Sequence, residues 1–470
     1  MTPCKPVNVL HQCKIGPSSG SAAPVAADIP LSFFDQPWLP FPGIELLFFY
    51  HYPYPTTHFT QFLLPHLKLS LSCTLIHFYP VAGNLLWPHD SYRPIIRYVN
   101  GDFIWLTVAE CDADFSSLSG DHARDADEAH AFVPQLPSSG SVVPLMAIQV
   151  TVFPNSGISI GVIHSHSLMD GRSMDYFMRT WAMISKLGEA NQYLSTLSIP
   201  FLDRTLIKDS NGFEKIYLKE LEGFARSDKL VSGNRSLRIM EIKMQPEHRM
   251  FRATFDLNPT DIRRLKDWIL VRRNKDQPSC LTSTFVVTCA FSWVCLVKAE
   301  ALAATEFEES NNNVSNFVTS IDCRARKDMD PLIPPTYFGN CIKRILVPGE
   351  KSKLLGEDGV FVATELIEEA IRGLEKGLLR GLENGVSDLM RMQSGKYISA
   401  AGSPQFGLYG MDFGWGRPKK IEYVSSDTTG AIFFRESRKL DGGVEIDLAL
   451  NKKEMDAFAL VFASKLKAAL

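Results

Sequence analysis

"GVIHSHSLMDGRS", residues 161–173, sits where one periodicity gives way to another. The segment leading into it, NSGISIGVIH, reads as a strand that follows a turn at Asn155 and Gly157. Beyond it, Phe177, Met178, Trp181 and Ala182 fall at i, i+1, i+4 and i+5, which gives one apolar face to a helix starting near Gly171. The polar residues between are therefore a loop from strand to helix. Two histidines stand in it one residue apart, but only His166 has an aspartate four positions on, at Asp170; His164 has Leu168 there. Two readings are open. His166 satisfies the strand end while Asp170 caps the helix, or His166 is a working base and Asp170 its support. Gly171, directly behind the aspartate, permits a tight turn.

Outward from the loop, the first half is dominated by strands. VNVLHQCKI, YRPIIRYV, DFIWLTVAE and LMAIQVTVF all read so, and a Pro/Gly/Ser/Ala connection runs to residue 30. Phe62, Leu63, His66, Leu67 and Leu71 share a helical spacing that Pro80 ends. From about residue 187 to 245 the chain turns polar, loses clear periodicity and is broken by Pro200, as a crossover would be. The second half opens on the strand FRATFDL, and then on NPTDIRRLKDWIL, where Asn258 can cap, Pro259 suits the first helical position and Asp261 favours the positive end of the dipole. A long apolar helix starts near Ser283, preceded by Thr282, and EFEESNNNVSN reads as a surface loop. Strands FVTSIDCRA and CIKRILVPG, a helix near 360–380, strands AIFFRESR and GVEIDLAL, and a closing helix complete the chain. The fold class is mixed α/β.

At 470 residues the chain exceeds the roughly 250–300 at which single cores stop growing, so two domains are expected. The divisions are residues 1–205, a crossover over 206–245, and 246–470, with a segment near 394–415 packing back on the first domain. Lys and Arg total 49 against 52 Asp and Glu, which leaves no global field for nucleic acid or an anionic membrane. MTPCKPVNVLHQCKIGPSS has no apolar run of the signal-peptide kind, and a cytosolic location is expected. FVVTCAFSWVCLV, residues 285–297, falls short of the ~20 residues a membrane span needs and reads as a buried helix. Nine cysteines without a CxxC pair encode neither a zinc ribbon nor a dithiol redox centre, and are expected as free thiols.

A second unusual turn stands at DFGWGRP, residues 412–418, where two glycines flank a tryptophan. HxxxDG with DFGWG resembles the signature pair of the BAHD acyltransferases of plants. YFGNC, residues 337–341, is similar to a further motif of the branch acting on anthocyanins and phenolic glycosides. SFFDQPWL, FYPVAGNL, PFLDRTLI, DCRARKDMDPLIPPTYFGNCI and AGSPQFGLYGMDFGWGRPKKIE look like family segments in family order, so the resemblance spans nearly the whole chain. Ser165 departs from it, since many relatives have a second histidine there.

The resemblance implies two chloramphenicol-acetyltransferase-like domains, each a mixed sheet flanked by helices, with a channel through their interface. It implies acyl transfer from a coenzyme A thioester, malonyl first and coumaroyl or caffeoyl as the alternative, to a sugar hydroxyl of a phenolic, flavonoid or anthocyanin glucoside. No resident cofactor or metal and a monomeric state follow from the same likeness. A silent ligand-binding homologue and a hydrolase are the readings from other classes. His166 would be the general base and Asp170 its structural support, ion-paired to Arg324. Asp412, Gly414, Trp415 and Gly416 would stand apart from the reacting atoms, and Ser403 in AGSPQFG would approach the acyl group.

The chemistry of the residues fits that likeness. A sugar hydroxyl is a poor nucleophile, and an imidazole with an ordinary pKa of about 6.5 is neutral and available near pH 7. Coenzyme A also brings phosphates. Arg263, Arg264 and Lys266 share one helix, Arg272, Arg273 and Lys275 follow, and the next helix opens at Thr282 and Ser283 with free backbone donors. A solvated helix face accounts for the same charges. For a malonyl carboxylate, Arg172 and Arg179 behind the motif are the cations within reach.

Overall fold

The computed structural model of the chain describes residues 6–18, 22–88, 91–137, 140–188, 199–227, 237, 249–273, 282–304, 313–324, 326–327, 329–388 and 397–468. It has two domains built on mixed sheets. The first sheet runs β1 (Asn8–Ile15), β6 (Ile104–Glu110), β9 (Met146–Phe153), β10 (Gly157–His164), β3 (Ile44–His51) and β15 (Lys420–Tyr423), in that order. Only β6 and β9 are parallel in it. Every residue of β9 and β10 is buried, because both faces of the sheet are covered. On one side Leu46, Phe48 and Tyr50 meet helices α1 (Leu64–His77) and α2 (Gly171–Leu187) through Leu67, Leu71, Phe177 and Trp181. On the other, Leu47, Phe49, Phe115, Phe132 and Phe153 form a smaller cluster. Asn155, with φ 59°, takes the left-handed turn between β9 and β10, which a short polar side chain tolerates.

The second sheet runs β13 (Ile342–Glu350), β12 (Val314–Asp322), β14 (Tyr397–Gly402), β16 (Ala431–Glu436), β17 (Val444–Asn451), β11 (Met250–Leu257) and β7 (Arg124–Asp125). A small antiparallel sheet of β2 (Ala26–Pro30), β5 (Ile95–Val99), β4 (Asn84–Leu86) and β8 (Val142–Pro144) flanks the first domain. β2 falls inside the stretch read from sequence as a connection. α3 (Phe213–Ser227) lies within the expected crossover 206–245, much of whose remainder is outside the described residues; Phe213, Tyr217, Leu218 and Leu221 are its buried face.

α4 (Pro259–Arg272) is capped as its sequence predicts, Asn258 Oδ1 accepting from Asp261 N at 2.8 Å. α5 (Thr284–Ala303) runs 20 residues, long and apolar enough to cross a membrane, where the sequence reading allowed a shorter helix. Its length is spent in the core. Phe291 stacks edge-on to Phe462 of α7 (Lys452–Ala468), α6 (Gly359–Gly373) packs alongside, and Trp293 Nε1 donates to Ser315 Oγ at 2.9 Å. Most of the tract 306–316 read as a surface loop lies outside the described residues.

Each domain lends a strand to the other. β7 comes from the first half and pairs with β11, while β15 comes from the second half and pairs with β3. A single cut over residues 206–245 is therefore crossed in both directions. Of the segment near 394–415, β14 stays inside the second sheet and the chain meets the first domain from Phe406 onward; residues 394–396 are outside the described set. Buried charge accompanies the exchange. Arg124 of β7 pairs with Glu422 of β15, and Arg252 donates to Val424 O at 2.6 Å and Ser426 Oγ at 2.9 Å. His130 bridges Asp427 at 2.8 Å and Glu45 at 3.1 Å.

Candidate active site

β10 ends at His164 and α2 begins at Gly171, so the HxxxD loop hangs between a fully buried strand and a helix whose apolar face is locked into the core. Asp170 is the N-cap of α2. Its Oδ1 accepts from Ser173 N at 3.0 Å, which satisfies one of the free amides at the helix start. The same carboxylate is ion-paired to Arg324 at 2.8 Å and also accepts from Cys341 N at 3.0 Å. The Asp170 and Arg324 side chains are each 1% exposed. Burial works against the carboxylate, but the Arg324 charge and hydrogen bonds hold Asp170 below its ordinary pKa. Asp170 thus both caps the helix and ties the loop to the second domain.

Gly171 is the first helical residue, and its φ is not in the left-handed region. The turn expected there from sequence is not what requires glycine. A Cβ would stand 3.1 Å from the ring of Phe406, so the constraint is close packing of the second domain on the helix start.

His166 lines a cavity of about 2140 Å³ and is only partly buried, while its Nδ1 is sealed without a hydrogen-bond partner. Nε2 is therefore the nitrogen able to meet a substrate. The imidazole lies flat on Trp38, ring centroids 3.7 Å apart and planes 3° from parallel, with Phe41 edge-on at 5.9 Å. Below it, Asn340 Nδ2 donates to His166 O at 2.8 Å and to Asp35 Oδ1 at 3.0 Å. Asp35 also accepts from Ser32 N at 2.8 Å and pairs with buried Arg204 at 3.0 Å; Arg204 in turn donates to Leu168 O at 2.5 Å. The loop is clamped from beneath at His166 and Leu168 and from behind at Asp170. Burial is the main cause of a His166 pKa lowered to about 4, with the Arg344 charge acting the same way and Asp170 opposing. His164, wholly buried, is pushed down further, to about 3.

These supports show what sequence reading missed. Asp35, Trp38, Arg204 and Asn340 lie in SFFDQPWL, PFLDRTLI and YFGNC, segments legible as family pieces but with no role attached. A lone charge or amide inside an apolar stretch was the available signal, since such a group is buried only when it is paired.

Of the other sequence candidates, Ser283 and Ser403 line the cavity. Ser283 caps α5, accepting from Val286 N at 3.2 Å, and with Thr284 and Phe285 it brings the start of that helix to the cavity wall. Arg263, Arg264, Lys266 and Thr282 are not among the described lining residues. α4 turns Ile262, Leu265 and Ile269 to the core, which leaves Arg263 and Arg264 exposed, while Lys266 donates to Thr284 Oγ1 at 3.0 Å. Arg272 and Arg273 are held by Asp358, at 2.8 Å, and by Glu365, at 2.9 Å; Lys275 lies outside the described residues. Arg249, Lys452 and Lys453 line the cavity instead, and no sequence signal singled them out.

Arg172 lines the cavity but is paired with Asp322 at 2.8 Å, and Arg179 is held by Asp175 at 2.8 Å and by the carbonyl of Phe406. Asp412, Gly414, Trp415 and Gly416 do not line the cavity. Asp412 Oδ1 accepts from Gly414 N at 2.8 Å and Gly416 N at 2.9 Å, both glycines at positive φ, and its Oδ2 takes Lys186 of α2 at 2.7 Å. With Phe413 against Trp181 at 4.9 Å and Trp415 against Tyr50 at 5.9 Å, this loop fastens the second domain to the back of the first.

A model of the transferase family matches residues 5–463. A phenolic glucoside malonyltransferase of Nicotiana tabacum is 37% identical over 90% of this chain and 91% of its own. A coumaroyl-CoA:anthocyanidin 3-O-glucoside-6''-O-coumaroyltransferase of Arabidopsis thaliana is likewise 37% identical, over 97% of this chain and 96% of its own. Among solved structures, vinorine synthase superposes with a TM-score of 0.68 over 97% of this chain and 98% of its own at 20% identity, a likeness of fold. Motif loop, channel and relatives agree, and the chain belongs to the BAHD acyltransferase family.

Proposed function

We propose that this protein is an acyl-CoA-dependent O-acyltransferase that moves an acyl group, malonyl first, onto a sugar hydroxyl of a phenolic, flavonoid or anthocyanin glucoside. The observation that carries the reading is His166, clamped through its backbone and presenting Nε2 to the interdomain cavity. That cavity exceeds the ~300–1,000 Å³ of a single-ligand pocket, so donor and acceptor have room together. Holding both there supplies effective concentration without a covalent enzyme intermediate.

His166 Nε2 takes the hydroxyl proton as the sugar oxygen bonds to the thioester carbon. The carbon–sulfur bond then breaks and the imidazolium returns the proton to the departing thiolate. A pKa of about 4 keeps the ring in its basic form, and the developing oxyanion beside it raises its proton affinity as the reaction proceeds. Asp170 and Arg324 hold the loop and take no part in the proton transfer. The phosphates of coenzyme A belong by charge at Lys453 and the opening of α5, with Arg249 and Lys452, which also pair with Asp125 and Asp456, on the same wall. Monomeric action in the cytosol, apart from nucleic acid and membranes, completes the reading; near-balanced charge and free thiols support it.

The test is competition between malonyl-CoA and coumaroyl-CoA for one flavonoid glucoside. Malonylated product in excess supports the reading, and coumaroylated product in excess moves the chain to the aromatic-donor group. Release of coenzyme A from either donor without acceptor identifies a hydrolase.

A further inference from the structure

One charged group in the chamber is not explained by the loop machinery. Arg344, on edge strand β13, lines the cavity with its guanidinium carbon 5.0 Å from the ring centroid of Trp38, the indole on which His166 lies. It donates to Gly385 O, yet its Nη1 is buried without an acceptor. None of the described carboxylates lies within ion-pair distance of it; Asp388 and the Tyr217 phenol act on it only at longer range. Burial lowers its pKa to about 10, which marks a cation held out of water without compensation.

The other arginines on the wall differ. Arg172 is bound to Asp322, Arg249 to Asp125 and Arg324 to Asp170. Arg326 has no carboxylate among the described residues either, but its Nε is committed to the carbonyl of Asp322 at 3.1 Å and no contact of it with the Trp38 ring is seen among them. A guanidinium on the cavity wall beside the base, with no carboxylate partner among the described residues, is built to be completed by an anion arriving with a substrate.

We infer that Arg344 is the residue that receives a free carboxylate of a bound substrate, its source being the distal carboxylate of a malonyl-type acyl group or an acid group on the acceptor. The inference rests on the proposed transferase reading and deepens it. The carboxylate is drawn to the uncompensated guanidinium charge on the cavity wall, and the thioester carbonyl at the other end of the acyl group comes to His166. Arg172 and Arg179, the cations nearest the motif in sequence, are engaged elsewhere and are not needed for this task.

The experiment measures kcat/KM for malonyl-CoA and acetyl-CoA, with an uncharged glucoside as acceptor, in the parent, Arg344→Gln, Arg344→Lys and Arg326→Gln. Arg344→Gln is expected to lower the malonyl-CoA value roughly 10- to 100-fold, as loss of a charged hydrogen bond does, and to leave acetyl-CoA within about threefold. Arg344→Lys keeps part of the malonyl preference, and Arg326→Gln changes neither donor selectively. With acetyl-CoA, a carboxylated acceptor lost selectively in Arg344→Gln assigns the anion to the acceptor instead. Equal losses with every substrate, no loss at all, or selectivity residing at Arg326 overturns the inference. Should the parent transfer no acyl group, the transferase reading falls. The role of Arg344 is then read from the binding of malonyl-CoA against acetyl-CoA to parent and Arg344→Gln.

Discussion

The side-chain amide of Asn340, from the second domain, donates to the backbone carbonyl of His166 at 2.8 Å, and its other contact is Asp35 at 3.0 Å. The base is thus placed by its main chain, with the ring left open to substrate. Asn340→Ala removes both bonds while leaving Arg204 on Asp35. It is expected to destabilise the fold by about 1–3 kcal/mol and to lower kcat roughly 10-fold or more, since small misplacements of a reacting group are costly. Urea titration and steady-state kinetics check the two effects separately.

Asp170 and Arg324 are a buried pair, so removing one charge strands the other. Asp170→Asn keeps an oxygen for Ser173 N but leaves the Arg324 charge with the partly exposed Asp322 as its carboxylate, beside neutral acceptors on Ser173, Tyr337 and Gly339. A loss of about 3 kcal/mol in unfolding free energy is expected, together with a fall in kcat. The double variant Asp170→Asn, Arg324→Gln should be less destabilised than the two single losses added together; full additivity would show that the pair is not coupled.

The acid limb of kcat/KM reports the free base. With His166 depressed to about 4, the ring is neutral throughout the physiological range. Activity should therefore stay flat as pH falls from 8 to about 6, through the ordinary imidazole value of about 6.5, and drop only as the depressed value of about 4 is approached. Protonation at low pH removes the base, so the sign is loss on acidification. A pH–rate profile in buffers of constant ionic strength measures it, and an acid limb centred at or above 6.5 contradicts the burial argument.

His130 runs the other way. Burial alone would lower its pKa, but hydrogen bonds to Asp427 and Glu45 across the interface raise it to about 10. A folded-state pKa above the unfolded value means the folded protein binds the extra proton. The contribution is full below about pH 6.5 and is lost as pH rises toward 10. Melting temperatures of the parent should fall between pH 7 and 10 more steeply than those of His130→Gln, whose curve lacks this component. Parallel curves would remove His130 from the interface account.

The motif loop was legible because the change from strand to helical period brackets it, and the cap of α4 because N-cap chemistry is local; the start of α5 was placed at Ser283, which caps it. β3 was passed over. Its run LLFFY is buried on both faces and shows no alternation to read. The strand exchange through β7 and β15 involves two and four residues, and nothing local marks such short pieces. Asn340 and Asp35 meet across 305 positions, so no spacing rule connects them. The phosphate candidates followed charge clustering along the chain, whereas the fold turned Arg272 and Arg273 toward acidic partners and brought Lys452 and Lys453 to the wall from the start of α7.

Transfer turns on Nε2 of His166 removing the acceptor's proton. Single-turnover transfer from malonyl-CoA by His166→Ala, set beside coenzyme A affinity and melting temperature, tests it most directly. Expected is a fall in kcat of roughly 10²- to 10⁴-fold with affinity and fold retained. Turnover within a few-fold of the parent contradicts it.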